Sequence, residues 1–172
     1  MTLLRMPANR KTRGKMRQRW QQQMDQESRL VRVFFYGTFM NAKVLAEYGI
    51  AAGEVLPARV MNFELCIRPR VNLLPCNGAS VYGAVISVTH NDLEKIYSDL
   101  EKSLGLKYLP QAMFAETLDE TPTFEPVLCY IASRMTPGLA APEYVKELAG
   151  CVRSLNLPES YALHIESFGL RG

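Results

Sequence analysis

The sequence predicts one α/β (α+β) domain of mixed strands and helices behind a basic arm. Three observations predict it. Val31 to Tyr36 is apolar or aromatic except for Arg32, the pattern of a buried strand. Asn91 to Leu104 carries Leu93, Ile96, Tyr97, Leu100 and Leu104 at helical spacing. Strand-like and helix-like stretches alternate, but without the regular rhythm of a doubly wound sheet, and neither GxGxxG nor GxxxxGK[ST] occurs. The 172 residues suit one domain with a sizeable core.

The elements follow in chain order. Residues 1–29 form the arm, rich in Arg, Lys and Gln and poor in apolar residues, so it cannot offset its own ordering entropy by burial. Met1 to Arg13 reads as flexible, and Lys15 to Gln26 as a polar helix with Trp20 as its one large anchor. The domain spans residues 30–168. After the strand Val31 to Tyr36, a short helix is expected over Asn41 to Tyr48. Strands are expected over Ala58 to Cys66 and Ser80 to Val88, with Pro69, Asn72, Pro75, Asn77 and Gly78 as turn residues between them. Thr89 and Asp92 have the spacing of a capping box before the helix Asn91 to Leu104. Gln111 to Glu116 and Val127 to Ala132 read as strands. Two helices follow, with Pro142 and Pro158 suited to their first turns. Residues 169–172 are expected to be a loose tail.

Composition narrows the function classes. The chain is 48% hydrophobic and 22% charged, as in ordinary soluble globular proteins. No apolar run approaches the ~20 residues of a membrane span, and the basic N-terminus lacks the apolar core of a secretory leader. The net charge of +3 is unevenly placed. Residues 1–30 hold eight basic and two acidic residues, net +6, and the remainder holds twelve and fifteen, net −3. No nucleic-acid motif or aromatic interleaving accompanies the basic arm, which argues against a nucleic-acid partner. The cysteines Cys66, Cys76, Cys129 and Cys151 form no CxxC pair, and there are two histidines, so no metal site is expected. Scattered thiols of this kind point to a reducing, cytoplasmic location.

Two places can carry chemistry. The strand that ends at Tyr36 runs at once through Gly37-Thr38-Phe39 toward a helix. Such a turn exposes backbone amides, and glycine lets a ligand approach them closely; Thr38 or Asn41 can also simply cap the helix. On a wheel of the helix Asn91 to Leu104, Asp99 points to solvent, whereas Glu101 lies at the edge of the apolar face beside Tyr97. A half-buried carboxylate there has the makings of a base. Glu94 shares that flank, so the wheel alone does not choose between the two glutamates.

Residues 31–168 resemble the gamma-glutamylcyclotransferases and their AIG2-like relatives. The resemblance rests on "VFFYGTFM", "VYGAVISVTHNDLEKIYSDLE", "KYLPQAMFAE" with "VLCYIAS", and the C-terminal "PEYVKELAGCVRSLNLPESYALHIESF". It implies a gamma-glutamylcyclotransferase-like fold, a small mixed β-barrel with surrounding helices. It also implies a reaction. The α-amino group of a γ-glutamyl amide attacks its own γ-carbonyl, 5-oxoproline forms, and a free amine leaves. No cofactor is implied, because the nucleophile is part of the substrate. Counted from Gly83 without gaps, the family's catalytic glutamate falls on Leu100; counted back from Tyr108, it falls on Glu101. Glu101 is the catalytic residue this reading assigns. Tyr36, Gly37, Thr38, Phe39, Tyr108 and Tyr130 are the expected substrate-binding residues. The alternative is a non-catalytic small-molecule-binding or regulatory protein on the same fold, with its basic arm on an acidic partner. The direction in which Glu101 faces separates the two.

Overall fold

The computed structural model describes residues 14–20, 29–135 and 137–170. A helical stretch, α1, covers 14–20. It begins one residue before the polar helix expected over Lys15 to Gln26; residues 21–26 of that expectation, like Met1 to Arg13, lie outside the described residues. The domain then runs β1 (Leu30–Phe35), a 3-10 turn (Thr38–Met40), α2 (Ala42–Glu47), β2 (Val55–Ile67), β3 (Val71–Thr89), α3 (His90–Leu104), β4 (Tyr108–Thr117), β5 (Phe124–Ala132), α4 (Pro142–Ser154) and α5 (Glu159–Glu166). A 3-10 turn at Ser167–Leu170 follows α5, where a loose tail was expected.

The five strands close a barrel in the order β1-β3-β2-β4-β5. β1 runs antiparallel to β3 and parallel to β5, so the barrel is mixed. The apolar run of β1 explains its place: Val33, Phe34, Phe35 and Tyr36 are all buried. Two seams are narrow. β1 meets β5 at Val33↔Leu128, and β2 meets β4 at Ala58↔Thr117 and Arg59↔Glu116. An Arg–Glu pair crosses each one. Arg32 binds Glu125 over the first, and Arg59 Nε donates to Glu116 at 2.5 Å over the second.

The residues Asn72, Pro75, Asn77 and Gly78 do not form a turn between two short strands. They lie inside β3, which pairs with β2 from Ile67↔Val71 to Val55↔Ile86. The chain reverses at Arg68-Pro69-Arg70, where Arg68 N–H donates to the Arg70 carbonyl at 2.9 Å. Gly78 serves a bulge instead, with Asn62 on the facing strand. The register jumps between Met61↔Ser80 and Phe63↔Pro75. Asn62 (φ 65°) and Gly78 (φ 80°) take left-handed backbone there, and Gly78 N–H donates to Asn62 Oδ1 at 3.1 Å.

Helix α3 begins with the expected capping box: Asp92 N–H donates to Thr89 Oγ1 at 3.1 Å, and Thr89 N–H donates to Asp92 Oδ2 at 3.0 Å. It ends at Gly105 (φ 65°), the left-handed cap that β-carbon-free backbone favours. Pro142 occupies the first turn of α4, while Pro158 is the residue before α5 rather than within it. Tyr144, Val145, Leu148, Ala149, Cys151 and Val152 make α4 a broad apolar stripe, and it packs into the core with α5.

Candidate functional site

β1 delivers its last side chains to one end of the barrel and stops. The chain turns through Gly37 into the 3-10 turn, closed by Met40 N–H on the Gly37 carbonyl and Asn41 N–H on the Thr38 carbonyl, both at 3.0 Å. Asn41, not Thr38, caps α2, with Oδ1 accepting from Lys43 N–H at 3.0 Å. Gly37 has φ −100°, which any residue adopts. Its value is room: a Cβ there would lie 3.1 Å from Val71 Cγ1 and 4.0 Å from the Tyr144 hydroxyl.

Beneath this turn lies a cavity of about 430 Å³. Phe35 to Phe39 form one wall. α2 contributes Val44, Glu47 and Tyr48, and the start of β3 with the residue before it contributes Arg70 and Val71. α3 contributes Tyr97, Leu100, Ser103 and Leu104; β4 and β5 contribute Tyr108 and Tyr130; α4 contributes Tyr144 and Glu147. The volume fits a metabolite-sized ligand.

The tyrosines are locked into the wall. Tyr36 Oη donates to the Tyr130 carbonyl at 2.6 Å, and Tyr108 Oη donates to the Val71 carbonyl at 2.8 Å. Val71 N–H donates to Tyr144 Oη at 3.4 Å. The Tyr97 ring lies flat on Tyr130 with centroids 3.8 Å apart. Buried Asn72 ties the start of β3 to the end of β5: its Nδ2 donates to the Ala132 carbonyl, and Ala132 N–H donates to its Oδ1, both at 2.9 Å.

Burial raises the Tyr36 hydroxyl well above its ordinary range, and Cys129 and the neighbouring tyrosines push the same way. Burial likewise raises Tyr97, Tyr130 and Tyr144. Tyr108 is pushed up to about 12 by burial, opposed by the Arg70 charge. At neutral pH these hydroxyls are protonated, so they serve as hydrogen-bonding walls rather than as proton acceptors.

The structure brings Tyr36, Gly37, Thr38, Phe39, Tyr108 and Tyr130 together around the cavity. It does not bring Glu101 there. Glu101 is exposed, not half-buried as its place at the edge of the apolar stripe suggested, and the lining residue beside it is Leu100. Adjacent helix residues differ by about 100°, so a face that turns Leu100 inward turns Glu101 out. The carboxylates that border the cavity are Glu47 and Glu147, both solvent-exposed.

Sequence reasoning missed Arg70, Tyr144, Glu47 and Glu147. Arg70 sits in a stretch that reads only as turn residues, and Tyr144 within an ordinary amphipathic helix. Glu47 and Glu147 look like any solvated helix glutamates. Among the described residues, no group of three or more His, Cys, Asp or Glu is placed to hold a metal ion, and no helix is long and apolar enough to cross a membrane.

No family model and no curated protein matches the chain by sequence. Solved structures do share its fold, and among them are gamma-glutamyl cyclotransferases and AIG2-like proteins. A protein named gamma-glutamyl cyclotransferase superposes with a TM-score of 0.63 at 15% identity, over 81% of this chain and 88% of its own. A yeast gamma-glutamyl cyclotransferase specific to glutathione gives 0.56 at 9% identity, over 83% and 96%. An AIG2-like protein from Mus musculus gives 0.50 at 23% identity, over 67% and 82%.

Proposed function

We propose, from a fold shared with gamma-glutamyl cyclotransferases, that this cavity binds a small γ-glutamyl amide and that Glu101 is not its proton acceptor. One observation carries the reading: α3 presents Leu100 to the cavity and leaves Glu101 exposed. Lactam formation makes three demands on a site. The substrate must fold so that its amine reaches its own carbonyl. The oxygen that gains charge needs fixed donors. The α-ammonium must give up a proton to a group within hydrogen-bond reach. A fixed cavity of this size with a glycine turn and tyrosine walls suits the first two. For the third, Glu101 is badly placed. The best-supported function is therefore recognition of a γ-glutamyl ligand without turnover on Glu101.

A second reading keeps the full reaction and is favoured by Glu47 and Glu147 at the cavity. Either carboxylate would take the ammonium proton and return it to the departing amine as 5-oxoproline is released. Binding and 5-oxoproline release, measured together on a panel of γ-glutamyl amino acids and γ-glutamyl amines, separate the two. Binding without release supports recognition alone. Release that survives Glu101→Gln and disappears in Glu47→Gln or Glu147→Gln supports the second reading. Release lost in a correctly folded Glu101→Gln protein overturns both readings, and no binding across the panel overturns the ligand class.

The cytoplasm is the proposed location, because all four cysteines are free thiols, which suits a reducing compartment. The basic arm is assigned no part in the pocket. Removing residues 1–28 is expected to leave ligand affinity unchanged.

A further inference from the structure

Three described arginines on the barrel are half-buried: Arg32, Arg59 and Arg70. The first two are each neutralised by a glutamate across a barrel seam. Arg70 is different. Among the described residues, no carboxylate lies within ion-pair distance of it, and it lines the cavity. The guanidinium carbon sits 4.4 Å from the centroid of the Tyr144 ring. A cation–π contact of this kind holds the charge over the ring, and no carboxylate among the described residues pairs with its N–H donors, so they can serve a bidentate acceptor.

The surroundings say where such an acceptor would lie. Val71, next in the chain, and Tyr144, beneath the guanidinium, are the two residues that a Cβ at Gly37 would meet. Arg70 is thus held beside the glycine turn. One helical turn after Tyr144, on the same face of α4, Glu147 also borders the cavity, and its charge is felt at the Tyr144 hydroxyl. A cation and an anion therefore share one side of the site without pairing with each other. A ligand group carrying both charges a few atoms apart, an α-amino acid, complements that arrangement.

We propose that Arg70 and Glu147 together form a cradle for a free α-amino-acid group, with Arg70 taking the α-carboxylate and Glu147 the α-ammonium. This rests on the reading of the cavity as a γ-glutamyl site and deepens it. The ligand must have both its α-groups unblocked, and its amide side chain reaches the remaining, apolar wall of Val44, Tyr48, Leu100 and Leu104.

The test uses the full chain and calorimetric titration with four probes: γ-glutamyl anilide, its α-methyl ester, its N-acetyl derivative and free L-glutamate. The parent anilide is expected to bind at least about ten-fold tighter than either blocked form, as for loss of a charge-assisted hydrogen bond. In Arg70→Met the advantage over the ester disappears, while that over the N-acetyl form remains. Glu147→Gln shows the reverse, and Arg70→Lys recovers part of the ester discrimination. Melting curves check that each variant is folded. If the anilide fails to bind but free glutamate binds and depends on both residues, the γ-glutamyl reading falls and the cradle stands. Equal binding of the blocked and free forms to the wild type overturns the cradle, as does the absence of binding by all four probes.

Discussion

Gly83 holds the functional end of the barrel open to β1. It lies on β3 opposite Ala58, and its neighbour Ala84 pairs with Phe35. A Cβ at Gly83 would stand 2.2 Å from the Phe35 carbonyl oxygen, 3.0 Å from Phe34 Cζ and 3.1 Å from the Phe35 carbonyl carbon. Carbon–oxygen contacts are comfortable at about 3.3 Å, so Gly83→Ala demands a separation of roughly 1 Å between two paired strands. The obstructing atoms are backbone, and Phe34 is fully buried, so no flexible tip can swing aside. Overpacking costs about 1–3 kcal/mol, and this site belongs at the upper end. At about 2–4 °C per kcal/mol for a chain of this size, Gly83→Ala should melt roughly 6–12 °C below the wild type. Gly150 is the control. It lies in α4 with nothing within 4 Å of its would-be Cβ, so Gly150→Ala should stabilise by about 0.5–1 kcal/mol. Thermal denaturation followed by circular dichroism reads both. A Gly83→Ala protein melting with the wild type would refute the claim that β1 and β3 leave no room for a methyl group. Because Phe35 leads directly into Tyr36-Gly37, the same variant should also lose ligand affinity.

Other predictions concern the cavity itself. Gly37→Val places a branched side chain against Val71 and the Tyr144 hydroxyl, and titration should show ligand binding lost in a folded protein; unchanged affinity would argue against a ligand under the turn. Leu100→Glu puts a carboxylate on the wall where α3 faces the cavity. With a γ-glutamyl ligand that binds, 5-oxoproline release should rise by about 10²–10⁴-fold, the usual contribution of a positioned base; no gain despite binding would mean that the α3 face is not where the reaction needs a base. Alkaline stability should fall from about pH 10, where unfolded tyrosines begin to ionise. The folded protein still holds its protons there, with Tyr108 raised to about 12 and burial raising Tyr36 and Tyr97 well above their ordinary range. The unfolded chain then binds fewer protons than the folded one, so stability is full below pH 10 and declines as pH rises. The urea midpoint should drop between about pH 10, where unfolded tyrosine ionises, and about 12, where folded Tyr108 does, and less steeply in Tyr108→Phe; a flat midpoint would contradict the burial of these hydroxyls.

The sequence made some of this legible because the signals were local. The Thr89–Asp92 box and the Leu93, Ile96 and Leu100 stripe are written within a few residues of one another, and α3 forms where they say. The apolar run before Tyr36 and the bare turn after it likewise specify a strand end. The long β2–β3 hairpin was not legible. Pro75, Asn77 and Gly78 have the composition of a turn, and only pairing with Asn62 on the other strand makes them a bulge. Glu101 shows the limit of a helical wheel. It placed the glutamate at the margin of the stripe but could not say that the cavity covers the Leu100 and Ser103 side of it. Arg70 gave no signal at all, because Tyr144, over which it lies, and Glu147, which lines the same cavity, come from a helix more than seventy residues away in sequence.

Asn72 gives the cavity a property beyond shape. Its side-chain amide accepts from and donates to the backbone of Ala132, as a peptide group of a neighbouring strand would. A buried two-way latch of this kind joins segments 60 residues apart in the chain, right beside Arg70 and Val71. The rim that meets a ligand is therefore set before any encounter. Association should be a single bimolecular step whose observed rate climbs linearly with ligand concentration, with no plateau from a slow rearrangement of the protein. Selectivity then resides in how fast a ligand leaves, and the residues that grip it decide its residence time.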